Sequence, residues 1–250
     1  MKIQNIEKLP LACQKDVCYL LNKLEDIYGD DIISVFVYGS VTGQDYHSKT
    51  SDINVAVVME DTSLSTLSPI LKTVKKIRSA KITAPLFLTP SYIKMSLDTF
   101  PVEFSTMKDS RCVLAGDDIL AGISVKNEDL RAECEYQLKG KILTIRQAYL
   151  EQALNKKGVE WLVKESFRGL IPVFQSLLKI KLGTSAPKSK KEILGKLAEV
   201  FDIDTAPFLE ILHDQENDGK IGGKDAKLFL NEFLDTLQKL TETVDKLLVN

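Results

Sequence analysis

Ile32-Ile33-Ser34-Val35-Phe36-Val37-Tyr38-Gly39-Ser40, with Asp52-Ile53-Asn54 a short loop further on, decides how the N-terminal half of this chain folds. The residues up to Tyr38 are mostly β-branched or aromatic and stop at a glycine, as a buried strand does when it enters a tight turn. Ile53, Val55, Ala56, Val57 and Val58 make a second run of the same kind. Side chains alternate along a strand, so Asp52 and Asn54 face one side while Ile53 and Val55 face the other. Two polar side chains are thereby set next to each other at the start of one strand. That is a metal-ligand geometry with one ligand altered, beside a turn suited to phosphate.

Upstream, Leu11, Val17, Leu20, Leu21, Leu24 and Ile27 recur at helical spacing after Pro10, which predicts an amphipathic helix ending near Tyr28-Gly29. Downstream, Asp61-Thr62-Ser63 offers a cap for a helix with Leu64, Leu67, Ile70, Leu71, Val74 and Ile77 on its apolar face. Ile82 to Leu88 reads as a third strand. Pro101 to Met107 reads as a further extended segment in which Glu103 faces away from Val102 and Phe104. Strands alternating with helices define an α/β domain.

Beyond Gly116-Asp117-Asp118 the apolar spacing becomes three to four, first through Leu130, Cys134, Leu138, Ile142, Ile145 and Tyr149. Trp161, Phe167, Leu170, Phe174, Leu177 and Leu178 continue it, with a kink or break expected at Pro172. Gly183 to Pro187 is a turn-rich connector, and a last helix is expected from about Asp225 to Leu248. The expected organisation is an α/β domain over residues 1–120, a mixed sheet with helices, followed by an all-α helical domain over 121–250.

With 250 residues, 44% of them hydrophobic, the chain can bury a sizeable core. Lys and Arg total 33 against 35 Asp and Glu, so a net charge of −2 argues neither for a general nucleic-acid binder nor for a membrane-surface protein. Residues 1–8 lack the apolar core of a signal peptide, and no apolar run approaches the length of a membrane span, so the expected location is cytoplasmic. Cys13, Cys18, Cys112 and Cys134 show no metal-type pairing, and His47 and His213 are the only histidines, which disfavours a zinc site. The thiols are expected to be reduced and mostly buried.

The order of Gly39-Ser40, Asp52-Ile53-Asn54 and Glu103 resembles the nucleotidyltransferase superfamily that includes DNA polymerase beta. In particular it resembles the small bacterial two-domain enzymes built like kanamycin nucleotidyltransferase. Those proteins share a Gly-Ser turn, an Asp-x-Asp or Asp-x-Glu pair on the next strand, and a third carboxylate on a later strand. The match holds at Gly39, Ser40, Asp52 and Glu103, and departs from the pattern at Asn54. The resemblance implies transfer of a nucleoside monophosphate from an NTP to a hydroxyl acceptor, with Mg²⁺ or Mn²⁺ neutralising the phosphates. Gly39 and Ser40 would then bind the nucleotide, the backbone at Gly39 approaching the phosphates and a helix starting there supplying N–H groups. Asp52 would hold metal, and Glu103, placed beside it, would ligate a second ion and act as base.

Asn54 still offers an amide oxygen to a metal but no charge. A unit charge pair at ~4 Å is worth about 4 kcal/mol at ε ~20, and half of that already weakens a bridging ion more than tenfold. The substitution therefore acts more against turnover than against binding, and the alternative reading is a non-catalytic nucleotide-binding or protein-interaction module. The acceptor would be a small molecule or a protein, since no basic stripe favours long nucleic acid.

Four other features have structural and functional readings. Tyr38 reads as strand packing or base stacking, and His47 as a solvated loop residue or a substrate contact. Lys179, Lys181, Lys188, Lys190, Lys191 and Lys196 surround the Gly183 connector, either as a solvated helix end or as a triphosphate or RNA contact. Asp214-Gln215-Glu216-Asn217-Asp218-Gly219, with Asp225 at the twelfth position, resembles an EF-hand loop for Ca²⁺. Glu216 is longer than usual for the third position, and Asp225 replaces the bidentate Glu, so a polar interhelical turn is the competing reading.

Overall fold

Four strands, β1 (Ile32–Tyr38), β2 (Asn54–Met59), β3 (Leu86–Leu88) and β4 (Arg111–Gly116), form one mixed sheet in the order β3-β2-β1-β4. β1 is antiparallel to both β2 and β4, whereas β2 and β3 run parallel. The computed structural model describes residues 2–48, 51–152, 154, 156–187, 189–217 and 225–248. Two compact units divide the chain. Met1–Asp98 with Phe104–Ser124 make the first, and Thr99–Glu103 with Val125–Asn250 make the second. The fold is an α/β sheet unit followed by helices.

In the first unit, α1 (Leu11–Tyr28) buries Cys13, Val17, Leu20, Leu21 and Leu24 in one cluster with Val35, Val37, Val55 and Val57. Those four valines share one sheet face by alternation, while Phe36, Ala56 and Val58 of the other face are equally inaccessible. A sheet buried on both faces explains why β1 and β2 read as almost continuous apolar runs. The helix expected from Leu64 to Ile77 is broken at Pro69, giving α2 (Leu64–Leu67), a 3₁₀ turn over Ser68–Ile70 and α3 (Leu71–Ile77). Ser63 caps α2 by accepting the Thr66 N–H.

Two strand expectations change. The segment Ile82 to Leu88 is extended, but Ile82 makes only an isolated bridge to Ile53 before β3 begins at Leu86. Pro85 lies between them and has no N–H to give to a ladder. After α4 (Pro90–Met95), capped by Thr89, the segment Pro101 to Met107 is helical: α5 spans Pro101–Asp109. Pro101 occupies the first helical position, Glu103 the acidic first turn and Lys108 the basic last turn, all of which favour a helix. The buried pairs Val102/Ser105 and Phe104/Met107 are three residues apart, a helical spacing that strand alternation does not give. The fourth strand follows α5 instead.

β4 closes on Gly116, whose φ is +69° and where a Cβ would fall 2.0 Å from the Ile33 carbonyl oxygen. Only glycine fits that approach. Along the outer side of β4, Ile3 bridges Ala115, the Gln4 N–H donates to Leu114, and the Asn5 amide donates to the Val113 carbonyl.

The second unit contains α6 (Asn127–Gln152), α7 (Lys156–Phe167), α8 (Leu170–Leu182), α9 (Lys190–Phe201), α10 (Ala206–Asn217) and α11 (Ala226–Asp245). The chain breaks at Gly169, with φ +80°, and not at Pro172, which sits in the first turn of α8 where its missing N–H costs nothing. Phe208 lies at the middle of the core, with ring centroids 5.2 Å from Phe174 and Phe233 and 6.0 Å from Phe167. Trp161, expected on an apolar face, is exposed, as is Leu228. Cys13 and Cys134 are buried, Cys18 and Cys112 half-buried, and all four are free thiols.

Candidate functional site

β1 and β2 lie side by side with Tyr38 opposite Asn54, so the turn after Tyr38 stands over the first residue of β2. Gly39 has φ +82°, and a Cβ there would lie 3.3 Å from Asn54 Nδ2. The two positions are therefore direct neighbours, close enough that a side chain at position 39 would crowd the Asn54 amide. The segment that follows is a single 3₁₀ turn, Gly39–Thr42, in place of the helix start expected from the sequence. Phosphate binding through a helix dipole is thus not part of this site.

Ser110, just ahead of β4, holds that turn. The Gly39 N–H donates to both the carbonyl and the Oγ of Ser110 at 3.2 Å. The Thr42 hydroxyl reaches the Gly39 carbonyl at 2.9 Å and the Ser110 carbonyl at 2.8 Å, and Ser110 Oγ donates to the Thr106 carbonyl at 2.7 Å. Shared donors of this kind fix the turn but commit the Gly39 amide to the protein. Gly39 and Ser40 are both half-buried in this turn.

Asp52 is exposed, immediately before the buried Ile53, while Asn54 is half-buried. Thr83 interposes itself here: its hydroxyl lies 3.2 Å from the Ile53 carbonyl and 3.3 Å from Asn54 Oδ1. The amide oxygen, the one atom of Asn54 able to ligate a metal, thus faces a hydroxyl donor, and Nδ2 is turned towards Gly39. Among the described residues neither Asn54 Nδ2 nor the Ser40 hydroxyl has a hydrogen-bond partner. Tyr38 packs its ring 6.2 Å from Phe36, and burial raises its hydroxyl above the ordinary phenol value.

Glu103 stands in the first turn of α5, exposed, and belongs with the second unit, whereas Asp52 belongs with the first. The neighbour of Glu103 is Glu133 on α6. One Glu133 oxygen accepts the Val102 N–H at 2.7 Å and the other accepts Gln137 Nε2 at 2.7 Å. Burial pushes the Glu133 carboxyl up to about 7, and the adjoining Glu103 carboxyl adds to the rise. No group of three His, Cys, Asp or Glu side chains able to hold a metal exists among the described residues. The donors at the start of β2, one carboxylate and one amide whose oxygen is engaged, do not fit a two-ion site.

The sequence did not point to Thr83, Thr42 or Ser110. Thr83 lies one chain segment away from Asn54 with no motif around it, and Ser110 comes to the turn only through the sheet. His47 sits in a loop closed by bonds between its backbone and Ser51. Of the suggested calcium loop, residues 218–224 lie outside the described residues. Asp225 serves as the N-cap of α11, accepting the Lys227 N–H at 2.8 Å, and Asp214 is buried on α10. Lys188 is likewise outside the described residues, and Lys196 pairs with Glu199 at 2.8 Å.

No family model matches the chain, and no curated protein matches its sequence. Among solved structures the chain is similar to the spectinomycin adenyltransferase AAD(9) from Enterococcus faecialis, determined with ATP and spectinomycin. The identity is 13%, the match covers 93% of this chain and 99% of that one, and the TM-score is 0.56. At that identity the likeness concerns the backbone architecture, over nearly the whole of both chains. The chain shares the fold of that adenyltransferase.

Proposed function

We propose that this chain binds a nucleoside triphosphate at the Gly39-Ser40 turn and transfers the nucleoside monophosphate to a hydroxyl acceptor only slowly. The observation that carries the reading is Asn54, which stands beside the glycine turn where the resembled enzymes place a carboxylate, with its oxygen facing Thr83. Binding draws on a turn without a side chain at Gly39 and on hydroxyl and amide donors from Ser40 and Asn54; fast transfer needs carboxylates gathered round divalent ions, and here Asp52 is the one charged ligand at the start of β2. Mg²⁺ or Mn²⁺, if used, would depend on Asp52, and Glu103 is the candidate base towards the acceptor. A small hydroxyl-bearing molecule is the favoured acceptor class, because the solved neighbour holds ATP together with spectinomycin. Among the described residues no helix is long and apolar enough to cross a membrane.

The Asn54–Thr83 contact also favours a second reading, in which transfer is lost and nucleotide binding alone remains. Pyrophosphate release from each of the four NTPs with Mg²⁺ or Mn²⁺, using cell metabolites and proteins as acceptors, separates the two. Slow transfer predicts a low rate abolished by Asp52→Ala and raised at least tenfold by Asn54→Asp. Absence of release from both wild type and Asn54→Asp, with NTP binding intact, leaves the binding-only protein.

A further inference from the structure

We infer that the site takes the polyphosphate of a nucleotide directly, through hydrogen-bond donors, without a divalent ion between protein and phosphate. The inference rests on the nucleotide-binding reading above and concerns how that same site holds its ligand. A carboxylate at position 54 would repel phosphate unless a cation stood between them. Asn54 removes that charge and brings an N–H₂ group in its place. The orientation of the amide decides which end acts. Thr83 sits 3.3 Å from Oδ1, so Nδ2 is the end that adjoins the Gly39 turn, at the spot a Cβ of residue 39 would crowd.

The donors available there are unspent. Asn54 Nδ2 and the Ser40 hydroxyl have no partner among the described residues, whereas the Gly39 N–H is already held by Ser110. The amide adjoins Gly39 and the hydroxyl belongs to the next residue of the turn, so both are neutral donors suited to charge-assisted hydrogen bonds to phosphate oxygens. The metal-ligating atom of Asn54 is by contrast the one turned to Thr83. Asp52 then changes its meaning. In a metal site it attracts the ion and strengthens binding; beside an unchelated polyphosphate its charge opposes binding, weakly because it is exposed to solvent.

The test is a calorimetric titration of the full chain with ATP, once in excess EDTA and once in Mg²⁺. Direct recognition predicts affinities within about threefold of each other for the wild type. Asn54→Asp is predicted to bind on the order of tenfold more weakly in EDTA and to recover with Mg²⁺. Asp52→Asn is predicted to bind about twofold more tightly in EDTA, the opposite of what loss of a metal ligand does. Wild-type binding that falls more than tenfold in EDTA overturns the inference and leaves the nucleotide-binding reading standing. Absence of binding in both conditions overturns that reading itself, and the inference with it.

Discussion

Replacing Gly39 by alanine tests the placement of the ligand cradle at a single methyl group. At φ +82° an alanine is held in the left-handed region, which costs roughly 1–2 kcal/mol for a residue with a Cβ. The less flexible unfolded chain returns about 0.4–1 kcal/mol of this. The new Cβ would stand 3.3 Å from Asn54 Nδ2, close enough for that side chain to shift by a few tenths of an ångström without disrupting β2. The net expectation is a loss of about 1 kcal/mol in urea-induced unfolding, a folded protein, and a much larger relative effect on ligand. The methyl would crowd the amide donor, so ATP affinity should fall at least tenfold, about 1.4 kcal/mol. Unfolding curves read by circular dichroism and ATP titration of the same preparation give both quantities. An alanine variant that binds ATP within twofold of the wild type would show that phosphate does not sit against Gly39, whatever its stability.

Two further outcomes are expected. Gly116→Ala should be far more damaging than Gly39→Ala, by at least about 3 kcal/mol, because its Cβ would meet the Ile33 carbonyl at 2.0 Å and neither backbone segment has a rotamer to yield; similar unfolding midpoints for the two variants would contradict the β1–β4 approach. Glu133, raised from 4.5 to about 7, binds a proton in the folded state that the unfolded chain has already released between those values. Its contribution to stability is complete below about pH 4.5 and is lost as the pH rises through about 7. Discounted for a half-exposed carboxyl, it is worth on the order of 1 kcal/mol. The thermal midpoint should therefore be higher at pH 5 than at pH 7.5, with the difference diminished in Glu133→Gln; a midpoint that rises over that range has the wrong sign.

The parts of the fold legible in the sequence are those where one local signal dominates. Pro10 and Gly29 bracket α1, and the runs of β1 and β2 are apolar because both sheet faces are covered. The segment from Pro101 was misread because Val102 and Phe104 satisfy strand alternation over three residues, a window too short to exclude the helical pairing with Ser105 and Met107. β4 went unread for the related reason that Arg111-Cys112-Val113-Leu114-Ala115-Gly116 follows that segment without a turn signal. At the site, the neighbourhood of Gly39 and Asn54 follows from motif order and pairing. The groups that set its chemistry, Thr83 on the amide oxygen and Ser110 on the glycine N–H, are contributed across 29 and 71 positions of chain. Contacts of that range depend on sheet order, which a single strand does not encode.

The short stretch from Ile3 to Asn5 bears on what this protein does in a concentrated solution. By bonding to Val113, Leu114 and Ala115 it occupies the row of backbone groups that β4 would otherwise present to any passing strand. At the opposite margin β3 is three residues long and preceded by a proline, which leaves little for a foreign chain to extend. Neither flank of the sheet is an inviting template for self-association, and the guard on one of them is only three residues long. Trimming those residues would uncover the longer flank and leave it open to edge-to-edge pairing and aggregation, with the glycine turn and Asn54 untouched.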